Sequence, residues 1–232
     1  SFRRSNAWEA TRREVLAVRN AVGINEVQNF GKYSVTGPGA RAWIDRIMAG
    51  RVARPGRLSL TPMLSQQGRL IGDFTVSCLS QDSFQLTASY GAQAFHERWF
   101  RQHLDPGITL ENLSDQRTGF QIAGPKAFEV LSDVCQTPLL DMSFLDVREM
   151  TLGLYACLVQ RVSYTGDLGF EIYTDKMHQR GLFDVLWTAG QRHGMQPFGM
   201  RAMMSLRLDK FFGSWMNEYS PDYTAGETGF DR

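Results

Sequence analysis

One phrase occurs twice in this chain. Val35-Thr36-Gly37-Pro38-Gly39-Ala40 is matched by Ile122-Ala123-Gly124-Pro125-Lys126-Ala127, and each copy leads from a β-like run into an amphipathic helical one. Solenoid units repeat every 20–50 residues or so, and an offset of 87 residues is too long for that. A repeated strand, Gly-Pro turn and helix instead predicts related α+β units that pack helices on antiparallel sheets.

Periodicity fills in the elements between the copies. Asn6 followed by Glu9 has capping-box spacing, and Trp8, Val15, Val18 and Val22 recur at helical intervals, which predicts a helix over 7–22 closed by Gly23. A strand is expected at 29–36, and Pro38 suits the first position of a helix whose stripe is Ala42, Trp43, Ile47 and Met48. The second copy's helix buries Phe128, Leu131, Val134 and Cys135. Strand-like runs lie at 58–64, 69–80, 83–89, 143–149, 152–164 and 169–174. Helices are expected near 92–104, 176–193 and from Gly199.

Composition narrows the function classes. With 43% hydrophobic and 21% charged residues in 232, the chain is neither disordered nor low-complexity and can bury a sizeable core. Its net charge of +1 provides no field to hold nucleic acid or a membrane surface. Arg41, Arg46, Arg51, Arg54 and Arg57 are a local cationic run, read as a helix end and its loop complemented by cations, with an anion-binding patch as the other account. Cys78, Cys135 and Cys157 are odd in number and widely spaced, so neither a disulfide framework nor a zinc site is expected, and a reducing compartment such as the cytoplasm fits. His96, His103, His178 and His193, placed on helices, lack ligand spacing, and no metal is expected. No apolar run reaches membrane-span length and the N-terminus lacks a signal-peptide core. The missing initial Met suggests a piece of something longer.

Three places break local rules. Asp73 sits inside Arg69-Leu70-Ile71-Gly72-Asp73-Phe74-Thr75-Val76, where a carboxylate competes with the strand ladder and resists desolvation. It is either a functional group or an edge-strand Asp facing water beside a Gly72 bulge. In Arg161–Tyr173 the loop Thr165-Gly166-Asp167-Leu168-Gly169 would bring Tyr164 and Glu171 onto facing strands, with Phe170 and Ile172 on one side and Glu171 and Tyr173 on the other. A carboxylate beside two phenols suits a flat heterocycle with adjacent N–H donors, and a solvated polar face fits the same pattern. Arg207, in the apolar segment MRAMMSLRLDK, needs a carboxylate partner if buried, while Met203 and Met204 read as core filler.

Together these phrases resemble the folate-binding aminomethyltransferase family, the T-protein of the glycine cleavage system, and look closest to the C-terminal region of dimethylglycine and sarcosine dehydrogenases. The resemblance rests on VQNFGKYSVTGPGA, LTPMLSQQGRLIGDFTV, SYTGDLGFEIY and SLRLDK with Trp215, in that order along nearly the whole chain. Gly72 stands where T-proteins have the first of two aspartates, Ser89 where they have Asn, and Gly213 where the dehydrogenase branch has Arg before Trp. Lys210-Phe211-Phe212 lacks the cysteine of the iron–sulfur-repair relatives.

The resemblance implies a tetrahydrofolate-dependent transferase moving a one-carbon unit from an amine or methyl donor. Asp73 would be catalytic, orienting the amine and stabilising the positive charge that develops on it. Glu171 would read the pterin edge, with Tyr164, Tyr173, Arg207 and Ser89 as the other cofactor-binding residues. The alternative is a noncatalytic folate-binding module of a larger dehydrogenase-type flavoenzyme, so a flavin domain or a lipoyl carrier protein is an expected partner. In a eukaryote the compartment would be the mitochondrial matrix. The fold implied is an α+β cloverleaf without its C-terminal β-barrel, residues 1–54 and 118–232 forming a first, discontinuous folate-binding subdomain and 55–117 an inserted second one.

Overall fold

Strands β2 (Phe30–Thr36) and β7 (Arg117–Ala123) open the two copies of the repeated phrase, and each is followed by a glycine in the left-handed half of backbone space. Gly37 has φ +124° and Gly124 has φ +131°. A Cβ at Gly124 would stand 2.5 Å from the carbonyl oxygens of Val18 and Ala21, and one at Gly37 would collide with the Gly107 carbonyl. No other residue fits either place. In each copy the N–H of the first helical residue, Ala40 or Ala127, donates to the glycine carbonyl over 3.0 Å. The helices α2 (Ala40–Ile47) and α4 (Ala127–Val134) follow, so Pro38 stands in the turn and not in the first helical position.

The computed structural model describes residues 5–136, 139 and 142–230. The chain divides into two units. The first comprises residues 1–27, 118–144 and 149–212. It contains α1 (Trp8–Asn20), β1 (Val22–Glu26), β7, α4, β9 (Tyr155–Gln160), β10 (Gly169–Asp175), α5 (Gln179–Gln191), β11 (Met195–Pro197), α6 (Met200–Leu206) and most of β8 (Val147–Leu152). Its sheet has the order β11-β1-β7-β10-β9-β8. The pairs β1–β7 and β9–β10 are antiparallel, and β1–β11 is parallel. Phe120, Ile122, Phe170 and Ile172 point from one face into a core closed by Val130, Leu131, Leu182 and Leu186 of α4 and α5.

The second unit comprises residues 28–117, 145–148 and 213–232. Its sheet runs β3-β4-β5-β2-β6, with β3 (Arg57–Leu64), β4 (Leu70–Ser80), β5 (Ser83–Ser89) and β6 (Thr109–Asn112). The core lies on the side of Tyr33, Phe74, Val76, Phe84 and Leu86, covered by Trp43 and Ile44 of α2 and Phe100 of α3 (Gln93–Gln102). Phe100 meets Tyr33 edge-on at 5.4 Å and Trp43 at 5.8 Å, geometry that adds to area burial.

An α+β fold of mainly antiparallel sheets with packed helices is what the repeat predicts, and the differences are local. The first helix stops at Asn20 because Val22 and Ile24 pair into the sheet, so Gly23 is a strand residue. Ala7 holds the N-cap position and no side chain caps that end. The run at 152–164 breaks at Gly153, and β9 ends at Gln160. Only His96 lies in an α-helix; His103 and His193 follow one, and His178 is in a 3-10 turn. Residues 28–54, which the sequence reading put with the first subdomain, lie in the second unit because β2 pairs with β5 and β6. Residues 145–148 and 213–230 join them there. Among the described residues no helix is long and apolar enough to cross a membrane.

Candidate functional site

In the first unit the alternation along β10 turns Phe170 and Ile172 into the core and Glu171 and Tyr173 to the opposite face. That face is not solvated: Glu171 is 6% exposed and Tyr173 is 1% exposed. The Tyr173 hydroxyl donates to Glu171 Oε2 over 2.8 Å. The strand neighbour of Glu171 is Gln160, so Tyr164 is not on a facing strand as expected; it lies in the loop between β9 and β10. Gln121, whose neighbours Phe120 and Ile122 are in the core, shares the face, and Asn25 is paired with it on β1. Gln121 donates to Ser163 Oγ at 3.4 Å, while its Oε1 is buried with no hydrogen-bond partner among the described residues. Two carboxamides and a carboxylate thus share one face of the sheet, and the Gln121 oxygen on it is an acceptor without a hydrogen bond among the described residues.

Tyr164 and Arg207 both meet Phe212. The Tyr164 ring lies 6.3 Å from that of Phe212 at 18°, packed beside Val18, Phe198 and Leu206. Arg207 is buried at the end of α6, and its Nη1 donates to the Phe212 carbonyl at 2.6 Å. This donor finds a main-chain oxygen, at a chain reversal where Phe211 takes φ +56°. Met203 is core, as expected, whereas Met204, read with it as core filler, is half-buried and outside the core cluster.

Asp73 and Ser89 belong to the second unit. The β4–β5 ladder ends at Thr75–Thr87, and each residue lies two positions beyond it, on the face away from the core. β4 is an inner strand, so Asp73 is not an edge residue. Its cross-strand neighbour is Pro62, which has no N–H to offer. Among the described residues, Oδ1 of Asp73 is buried without a hydrogen-bond partner. Burial pushes its pKa up to about 6, opposed only by its own backbone N–H. Thr87 Oγ1 and Gln85 Nε2, on the same face, are also buried without partners.

Sequence reasoning assigned no role to Lys32, which is 0% exposed opposite Thr87. Its ammonium donates to the carbonyls of Gln28 and Phe30 at 3.3 and 2.9 Å. A lysine inside Phe30–Thr36 was the available signal, as were the amides in the apolar runs of β7 and β9 that carry Gln121 and Gln160. The arginine run is largely partnered: Arg41 on Gln81 and the Ala53 carbonyl, Arg46 on Asp105 and the His103 carbonyl, Arg57 on Asp146. All three cysteines are free, and burial raises the thiol pKa of Cys157 to about 11. Among the described residues no three His, Cys, Asp or Glu are arranged to hold a metal ion.

A family model described as the GCVT N-terminal domain matches residues 1–232. Human mitochondrial dimethylglycine dehydrogenase is 30% identical over 236 aligned residues, covering 100% of this chain and 27% of that protein. An aminomethyltransferase of Natranaerobius thermophilus is 31% identical over 214 residues, 91% of this chain and 59% of its own length. The crystal structure of the glycine cleavage system aminomethyltransferase T from Bartonella henselae superposes with a TM-score of 0.84 at 22% identity, over 93% of this chain and 58% of that one, and shares its fold.

Proposed function

From the premise that the chain belongs to the GCVT N-terminal domain family, we propose that it works in tetrahydrofolate-dependent transfer of a one-carbon unit from an amine donor. The observation that carries this reading is Asp73, a carboxylate in an inner strand with one buried oxygen left unpartnered. An orphaned acceptor of that kind costs stability, roughly 1–3 kcal/mol for a buried polar group, unless something outside the protein uses it. Thr87 Oγ1 beside it in the second unit and, separately, Gln121 Oε1 in the first are likewise buried without a hydrogen bond among the described residues, and acceptors of this kind suit N–H donors of a ligand. Bound tetrahydrofolate supplies the ring nitrogens that accept the one-carbon unit.

Glu171, fixed by the Tyr173 hydroxyl, would hold two adjacent N–H donors of the pterin. Tyr164 and Arg207, tied through Phe212, would line the cofactor site in the first unit, and Ser89 is a cofactor-binding residue proposed for the second. Asp73 has the catalytic role. With a pKa near 6 it is mostly ionised at neutral pH and orients a cationic amine, yet it can carry a proton for part of the time. Its desolvated charge stabilises positive charge developing on the donor more than the same carboxylate would in water.

The chain spans 27% and 59% of the lengths of the two relatives above, and the coverage of dimethylglycine dehydrogenase favours a second reading. In that reading the chain is the noncatalytic folate-holding part of a longer flavoenzyme. A flavin domain is then its partner; a lipoyl carrier protein is the partner in the first. A reducing compartment, cytoplasm or mitochondrial matrix, accords with either. Calorimetry with 5-formyltetrahydrofolate on the wild type, Glu171→Ala and Asp73→Asn tests both. Saturable binding lost in Glu171→Ala supports the folate site, and absence of binding to the wild type sinks it. Transfer abolished in Asp73→Asn with binding kept supports catalysis, whereas equal transfer removes Asp73 from the mechanism.

A further inference from the structure

The β3–β4 ladder runs regularly from Arg57–Cys78 to Met63–Gly72 and then slips, the next pair being Leu64–Leu70. Ile71 is left as the extra residue of a β-bulge two positions before Asp73. The bulge accounts for a break in alternation: Ile71 faces the core although Phe74, three residues on, does too, while Asp73 keeps its regular place on the other face.

The Ile71 carbonyl lies 3.1 Å from Nε2 of His96, in the first turn of α3. A carbonyl can only accept, so Nε2 carries the proton and Nδ1 is bare. His96 has no exposed surface and sits among Phe74 at 4.8 Å, Phe100 at 6.4 Å and Trp215, edge-on, at 5.8 Å. Burial pulls its pKa down to about 4, which keeps the ring neutral at ordinary pH. A Cβ at residue 72 would stand 2.9 Å from Nε2 and collide with the Phe74 ring. The imidazole and Phe74 therefore occupy the space of a side chain at 72, which is the physical reason for glycine beside Asp73.

We propose that His96 is a positioning residue for Asp73: by donating to the Ile71 carbonyl it holds the bulge just before Gly72-Asp73, and with it the strand packing that keeps water from the Asp73 carboxylate. Without the bulge Ile71 would turn out of the core onto the face that carries Asp73, and the packing beside the carboxylate would have to change. The role as stated rests on the reading of Asp73 as the catalytic group, whereas the geometry can be tested without it.

The test is NMR on the isotope-labelled chain. In the wild type the imidazole nitrogens should show the proton on Nε2 and none on Nδ1. His96→Phe keeps the ring volume and removes the donor; it should shift the Ile71, Gly72 and Asp73 amides and lower the Asp73 titration midpoint by about one pH unit or more as the carboxylate gains water. His96→Gln, whose amide can still donate, should bring the midpoint most of the way back. A proton on Nδ1 in the wild type overturns the proposal. So does an unchanged Asp73 titration in His96→Phe or, should that variant not fold, an Asp73 midpoint in His96→Gln as displaced as that of His96→Ala. Failure of 5-formyltetrahydrofolate to bind the wild type would sink the folate reading alone, because the Asp73 titration is read without it.

Discussion

Tyr173 and Glu171, two residues apart on β10, are joined by a 2.8 Å hydrogen bond on the buried side of the strand away from the core. A charge-assisted bond in such a place is stronger than one between neutral groups, and losing the donor leaves a desolvated carboxylate with one partner fewer. Tyr173→Phe should destabilise the chain by about 1–3 kcal/mol, read from urea denaturation. If Glu171 grips the pterin, the same variant should weaken 5-formyltetrahydrofolate binding about tenfold in calorimetry. An unchanged denaturation midpoint would show that the bond contributes nothing.

Asp73 titrates near pH 6 in the folded chain, above the ordinary carboxylate range. The native state then binds more protons than the denatured state between about pH 4 and 6, so this group makes stability fall as pH rises through that window and adds no slope above it. Asp73→Asn removes the effect. The variant should match the wild type at pH 4 and exceed it by about 3 kcal/mol at pH 7.5, from a shift of about two units at ~1.4 kcal/mol each. Parallel urea titrations at the two pH values check this, and a gap that does not grow with pH would refute it.

His96 acts with the opposite sign. Its folded pKa of about 4 lies below the ordinary histidine value, so the denatured state binds the extra proton first and stability is lost as pH falls from about 6.5 to 4. His96→Gln should flatten the acid limb of the stability curve over that window while leaving the slope above pH 7 alone. Thermal denaturation across pH 4–8 reads it.

The two Gly-Pro turns make a controlled comparison. Gly37→Ala and Gly124→Ala each drive a Cβ into main-chain oxygen at strongly positive φ and should cost about 3 kcal/mol or more. Gly39, at φ +90° with open space around its Cβ position, pays only the backbone penalty, so Gly39→Ala should cost about 1 kcal/mol. Equal losses at positions 37 and 39 would mean that the carbonyl collision is relieved by movement of the loop at Gly107.

Local periodicity is why so much was legible. The glycines of the repeated phrase, the stripes of α2 and α4, and the turning of Phe170 and Ile172 away from Glu171 and Tyr173 are all consequences of chain geometry over a few residues. Tyr164 was misplaced because hairpin register depends on where pairing stops, and β9 stops at Gln160, four residues short of it. The short strands β1, β6 and β11 went unseen because three to five residues carry little pattern of their own. β2 went to the second unit because its hydrogen-bond partners, β5 and β6, are some 50 to 80 residues further along the chain.

The amino-acid order by itself determined the α+β architecture, the aspartate inside a strand and the carboxylate and phenol sharing one face of β10, since each follows from side-chain alternation or from a backbone conformation only glycine adopts. Tertiary structure alone decided that Asp73 keeps an unpartnered oxygen on an inner strand, that Lys32 is fully buried, and that His96 reaches the Ile71 carbonyl across 25 residues of sequence. Those features depend on which strands flank β4 and which helix covers it, and burial of a polar atom is set by such distant neighbours and not by the residues beside it in the chain.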